Sequence, residues 1–289
     1  MRQPSMDAPI SYMERTRQYY LALGYPEPYR WAAHADVPFH PLPKPLRDCR
    51  IALVTTAARK LPGQGDQAPG AAYNGAAKFT AVYSESTANE PALGINHVAI
   101  DFRHTTAEDQ GSYFPLAALR RSTRIGGVTA RFHGVPTKRS QRITQETYAP
   151  EVLARCRDDG ADAAVLVPNC PVCHQALTLV ARHLEANRIA TVIMGAAKDI
   201  VEQAGAPRFL FSDFPLGNAA GKPHDLASQD LTLSLALDLL EQARAPQVVQ
   251  SPLTWSADAG WKRDYGKVEG LSTEELAALR ADFEAQKRK

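Results

Sequence analysis

A chain of 289 residues with 44% hydrophobic and 22% charged side chains, 18 glycines and 21 prolines has the composition of a globular protein, which excludes a disordered or fibrous one. A formal net charge of +2 gives no general pull toward phosphate backbones. The one basic cluster, Arg120, Arg121 and Arg124, reads as a solvated helix face, so nucleic acid is not an expected partner. No stretch approaches the ~20 apolar residues of a membrane span, and the first twenty residues hold no continuous apolar core of a secretory leader. Both point to a cytoplasmic protein with no membrane partner.

In chain order, apolar spacing predicts a helix over 11–23, ending at Gly24. The proline-rich stretch from Tyr25 to Pro45 cannot sustain a long helix or a central strand and is expected to wrap the surface as an arm. Short branched apolar runs predict buried strands at 50–56, 97–102, 127–132, 163–167, 189–194 and 208–211. Helical patterns at 115–124, 145–158, 172–186, 198–204 and 228–243 alternate with them. The alternation indicates an α/β fold, a doubly wound, mostly parallel sheet with helices on both faces, plus peripheral terminal helices. The last of these opens on Ser272 with Glu275 three residues later, the signature of a helix start. The expected division is an arm over 1–46, a catalytic α/β domain over 47–250 and a C-terminal extension over 251–289.

Ligands in open α/β sheets bind beyond the carboxyl ends of the strands, so the residues that follow each predicted strand are the candidates. These are Thr55 and Thr56; Asp101, Arg103 and His104; Asn169, Cys170 and Cys173; Gly195; and then Phe214, Gly217 and Asn218. Four cysteines, Cys49, Cys156, Cys170 and Cys173, are too few for a disulfide framework in a chain of this length. Cys49 and Cys156 read as small buried hydrophobes. Cys170 should open the helix at 172–186 with Pro171 in its first position, where unpaired N–H groups and the helix dipole stabilise a thiolate. Cys173 lies within reach of it for a dithiol–disulfide cycle. His174 reads either as an acid or base or as a solvent-facing cap, with Gln175 the neutral polar alternative beside it.

The string CPVCH also fits a c-type haem attachment, which is excluded without an exported context. A zinc site from Cys170, Cys173 and His174 lacks a fourth ligand at a recognisable spacing, so no metal is expected. A thioredoxin-like domain would place the pair nearer the start of a smaller unit. No dinucleotide or P-loop glycine motif is present, and Gly126-Gly127 and Gly217 to Gly221 are the glycine candidates for a binding turn. No tightly bound cofactor is expected.

The strings VPNCPVCHQALTLVARHLE, Asp101-Phe102-Arg103-His104-Thr105 and FPLGNAAGKPHD resemble the B-type subunits of the D-proline, glycine, sarcosine and betaine reductases, over about Pro45 to Glu241. The resemblance implies that Cys170 stands where the family typically has selenocysteine, whose selenolate cleaves a bond at the carbon α to a carboxylate. A thiol is the weaker nucleophile, so an easier bond or better activation is implied. The resemblance also implies a partner subunit carrying a pyruvoyl group in the clostridial complexes.

The leading expectation is a thiol-dependent reductase or lyase. Cys170 attacks a small carboxylate-bearing substrate and breaks a C–N, C–S or other carbon–heteroatom bond, Cys173 resolves the adduct, and an external thiol, dithiol or thiol donor protein restores the pair. Asp101, His104 and His174 are the acid/base candidates. Thr55, Thr56, Arg103, Asn169, Gly195, Phe214, Gly217 and Asn218 are the substrate-contact candidates, and a homo-oligomer is expected. The alternatives are a non-redox cysteine desulfurase, hydrolase or isomerase, and a non-catalytic redox or ligand-binding subunit.

Overall fold

The structure is a computed structural model that describes residues 8–27, 29–60, 79–95, 99–101, 103–263, 265, 266, 268 and 270–287. Its strands are β1 (Arg50–Thr55), β2 (Ala58–Arg59), β3 (Tyr83–Ser86), β4 (Leu93–Gly94), β5 (Gly127–Val128), β6 (Arg131–Gly134), β7 (Ala163–Val167), β8 (Ala190–Gly195), β9 (Arg208–Phe211) and β10 (Gln247–Gln250). The helices are α1 (Tyr12–Ala22), α2 (Leu116–Arg121), α3 (Gln141–Ile143), α4 (Ala149–Asp158), α5 (Pro171–Ala186), α6 (Lys198–Ala204), α7 (Leu226–Gln242) and α8 (Thr273–Lys287). The main sheet runs β10-β9-β8-β7-β1-β6-β3, with β5 also paired to β1, and β2 and β4 form a separate two-stranded ladder. Every pairing in the main sheet is parallel except that of β3 with β6.

The strand sequences explain this arrangement. Every residue of β7 (AAVLV), β8 (ATVIMG) and β9 (RFLF) is buried, as expected of strands covered on both faces. Their side chains alternate between two cores. Ile51, Leu53, Val165, Val167, Val192, Met194 and Leu210 face α2 and α7, while Ala52, Val54, Leu166, Ile193, Phe209 and Phe211 face α4 and α5. The expected α/β sheet, mostly parallel with helices on both faces, is therefore observed.

From β7 the strands step outward through β8 and β9 to β10, whereas β5 and β6 lie on the opposite side of β1. The direction of winding thus reverses between β1 and β7, which makes their carboxyl ends the topological switch point where open α/β sheets bind ligands.

The local departures have physical causes. The strand expected at 127–132 is broken at Thr129, whose N–H bonds to Ile51 O at 3.0 Å while its hydroxyl turns to Arg131 O at 2.7 Å. The strand expected at 97–102 lies partly outside the described residues, and residues 99–101 form a turn instead. The helix expected from 145 starts at Gln141 and passes through a π turn at Thr144–Tyr148. That turn lies just ahead of Pro150, whose missing N–H interrupts the regular ladder.

The proline-rich segment lies along α5 and α6. Ala32 N–H donates to Gln175 Oε1 at 2.8 Å, His34 N–H to Gln203 O at 3.1 Å and His40 N–H to Glu185 Oε2 at 2.5 Å. Glu185 in turn holds Arg208 at 2.7 Å with neither side chain exposed, and the guanidinium lies 4.0 Å from the centre of the Phe39 ring.

Candidate functional site

The switch point is built from the ends of β1 and β7 and the start of α5. Val167 ends β7, and two residues later the N–H of Asn169 donates to Thr56 Oγ1 at 3.1 Å, which ties the two strand ends together. Cys170 follows in extended conformation as the N-cap of α5, with Pro171 in the first turn where its missing N–H costs nothing. The Cys170 sulfur accepts the N–H of Cys173 at 3.2 Å, and the two cysteines are joined as a disulfide with Cα atoms 4.9 Å apart. Cys170 keeps 4% of its surface exposed while Cys173 keeps none. The Cys173 sulfur lies 3.4 Å from Thr137 Oγ1, in the segment that follows β6.

His174 has a defined protonation state. Its Nε2 lies 2.9 Å from Ala196 N and 3.2 Å from Ala197 N, both of which can only donate, so Nε2 is the acceptor. The proton is therefore on Nδ1, which donates to Cys170 O at 2.7 Å. Complete burial pushes the imidazole pKa down to about 4. Neither nitrogen is free to move a proton or to ligate a metal, and the ring joins the Cys170 turn to the segment that follows β8. This differs from the acid/base and solvent-cap roles expected of His174. Gly195 makes room for the ring, because a Cβ there would stand 2.8 Å from both His174 Cδ2 and Nε2. Gln175 is buried and engaged with the arm through Ala32 and Tyr29.

Asp101 and His104 form a second group. Both Asp101 carboxylate oxygens lie about His104 Nδ1, at 2.9 and 3.0 Å. Burial raises the Asp101 pKa and the bond from His104 opposes the rise. No described residue bonds to His104 Nε2, so the pair has the arrangement of a carboxylate that orients an imidazole. The loop after β9 holds this segment in place. Asp101 N–H donates to Leu216 O at 3.1 Å, Thr105 Oγ1 to Asn218 Oδ1 at 3.1 Å, and Asn218 Nδ2 to Pro215 O at 3.1 Å.

Four expected substrate contacts are thereby engaged in structure. Asn218 braces Thr105, Gly217 supplies a turn at φ +104°, Phe214 is buried against Trp255 at 5.5 Å, and Thr55 Oγ1 accepts Ala57 N–H at 3.0 Å. Arg103 is exposed. No hydrogen bond among the described residues joins Asp101 or His104 to Cys170 or Cys173, although Ile100, Leu216 and both cysteines share one apolar cluster.

Asn169 and Ser212 stand apart from this network. Both are fully buried, and among the described residues neither the Asn169 amide oxygen and nitrogen nor the Ser212 hydroxyl has a hydrogen-bond partner. Sequence reasoning did not single out Ser212 or Thr137. Ser212 directly follows β9, and Asn169 stands two residues past β7, so the strand-end rule that selected Asn169 also reaches Ser212. Thr137 stands three residues past the end of β6 and carries no comparable signal. Cys156, in contrast to Cys170, is buried in the core with its thiol pushed up to about 12. No helix of the described residues is long and apolar enough to cross a membrane.

The sequence is similar to D-proline reductase subunit gamma of Acetoanaerobium sticklandii, with 26% identity over 222 residues, 75% of this chain and 89% of that protein. The chain is related to a reductase subunit. No family model and no solved structure matches it.

Proposed function

We propose that this protein is a thiol-dependent reductase of a small carboxylate-bearing molecule, acting through Cys170 and Cys173 as part of a larger complex. The observation that carries this reading is the position of Cys170, the N-cap of α5 at the switch point, with its sulfur accepting the N–H of Cys173 and the Cys173 sulfur within bonding distance. Helix N-termini lower thiol pKa values and favour the thiolate. The relationship to a reductase subunit supports the same reading.

The reduced form begins the cycle. The Cys170 thiolate forms an S–C bond as the carbon–heteroatom bond breaks, and the heteroatom leaves with the electron pair and takes a proton. The Cys173 thiolate then attacks the Cys170 sulfur. The S–S bond forms as the S–C bond breaks, and the carbon keeps that electron pair and takes a second proton. The two electrons come from the dithiol, and an external thiol, dithiol or thiol donor protein returns them. Cys170 is assigned the attack because it alone of the pair retains exposure. Asp101 would hold His104 in the tautomer that presents Nε2 for proton transfer. His174 is a positioning residue that fixes the Cys170 turn. The arm (1–46), the α/β unit (47–250) and the extension (251–289) remain the proposed division of the chain, and the compartment is proposed to be the cytoplasm.

The test is the pH dependence of Cys170 alkylation by iodoacetamide after reduction, followed by peptide mass mapping, in wild type and Cys173→Ser. An apparent pKa clearly below the ~8.5 of a free thiol supports the reading. Unreactive Cys170 in both proteins refutes it.

A further inference from the structure

We propose that Asn169 and Ser212 form a binding pocket beside Cys170 for an uncharged amide edge, an N–H and a C=O side by side, so that Cys170 meets the carbon α to that carbonyl. This rests on the reading of Cys170 as the reacting thiol and narrows its substrate to one whose carboxylate lies away from the reacting carbon, which is flanked instead by an amide carbonyl.

The placement follows from strand alternation. Leu53, Val167, Met194 and Leu210 face the core beneath α2 and α7, so two residues on Thr55, Asn169, Ala196 and Ser212 continue on that side. Pairing of the β9 end with β8 continues to Ser212, whose N–H bonds to Gly195 O at 2.9 Å, while Asn169, past the end of β7, is held beside the β1 end by its N–H bond to Thr56 Oγ1 at 3.1 Å. Cys170, Ala196 and Leu216 all belong to the apolar cluster of that face. Ala196 between the two polar residues contributes only a methyl group.

The chemistry follows from what is unmet. A primary amide offers two donors and an acceptor with two lone pairs, and a hydroxyl offers one donor and two lone pairs. Three such atoms, buried and without partners among the described residues, are a large departure from the rule that buried polar groups are bonded. Asn218 is the contrast, an equally buried asparagine whose amide oxygen and nitrogen are both bonded.

The N–H groups of Ala196 and Ala197 are already taken by His174. The nearby cations are engaged as well. Lys262 pairs with Asp213, and Lys198 pairs with Glu202 at 3.8 Å and lies 5.7 Å from the Phe211 ring centre. A bare carboxylate would satisfy the Asn169 N–H groups but set its charge against Asn169 Oδ1. An amide edge satisfies both ends of the Asn169 side chain at once, with Ser212 left to bond the remaining carbonyl lone pair.

Two alkylating probes of equal size, iodoacetamide and iodoacetate, read this preference directly at Cys170. The rate ratio of amide to acid reagent is measured on the reduced protein by peptide mass mapping and divided by the same ratio for glutathione. The expected value is tenfold or more in wild type, falling to within about twofold of glutathione in Asn169→Leu and several-fold in Ser212→Ala. Both variants should keep or raise the urea midpoint, because each removes a buried group that has no partner.

A reactive Cys170 with a glutathione-like ratio in wild type, or one that favours iodoacetate, overturns the pocket and leaves the thiol reading standing. A lowered urea midpoint in Ser212→Ala also overturns the pocket, since the hydroxyl is then satisfied by trapped water. A Cys170 that reacts with neither reagent removes both.

Discussion

Replacing His174 with glutamine should flatten the acid side of the stability curve. The folded-state imidazole is held neutral with a pKa of about 4, against ~6.5 in the unfolded chain, so below pH 6.5 the unfolded state binds the extra proton. The stabilisation is therefore complete above pH 6.5 and is lost as pH falls toward 4. Between pH 7.5 and 4.5 the loss from this one group is about 2.5 kcal/mol. His133 is a second buried imidazole pushed down to about 4 and contributes in the same direction over the same window in both proteins. The substituted glutamine can still accept from Ala196 and Ala197 but does not titrate in this range, so the variant should lose about 2.5 kcal/mol less than wild type over this window. Urea unfolding of both proteins at the two pH values, in the same redox state, measures the difference. Equal losses in the two proteins would show that His174 is not held as the neutral Nδ1–H tautomer, and the positioning role would fall with it.

Gly195→Ala should displace the His174 ring and with it the Cys170 turn. Overpacking of this kind costs ~1–3 kcal/mol, and the alkylation rate of Cys170 should change while that of the distant Cys49 does not. At the arm, Glu185→Gln or Arg208→Met alone leaves the other charge buried and should cost ~3–5 kcal/mol. Burial raises the pKa of Glu185 and lowers that of Arg208, both against the charged form, so the double variant Glu185→Leu, Arg208→Met should recover most of that loss. A double-mutant cycle by urea unfolding checks this, and simple additivity of the two losses would contradict it.

The unit from β7 to α5 was legible because each of its signals is local. A branched apolar run ends at Val167, a proline occupies the first helical position, and the cysteine before it takes the cap. β9 was legible for the same reason. β3 and β10 were not, since YSES and QVVQ carry too little apolar character to stand out and owe their strand state to their neighbours in the sheet. Two helix starts moved by a few residues where a π turn or a leucine extended the pattern. The candidate site was half legible. Strand-end position selected Asn169 and Cys170, whereas the state of His174 depends on backbone groups at Ala196 and Ala197 that no local pattern connects to it. Asn218 and Asn169 look equivalent as letters, and only their hydrogen bonding separates a brace from an open amide.

The seating of the arm sets an order for synthesis. Ala32 and His40 are held by Gln175 and Glu185, which lie 143 and 145 residues further along the chain. At roughly 5–20 residues per second, a ribosome exposes these partners roughly 7–30 s after the arm itself. Throughout that interval the proline-rich segment is outside the ribosome with no helix to lie on. Its low capacity for regular strand pairing is therefore a benefit before it is a structural role, because a segment that waits that long must not find another partner first.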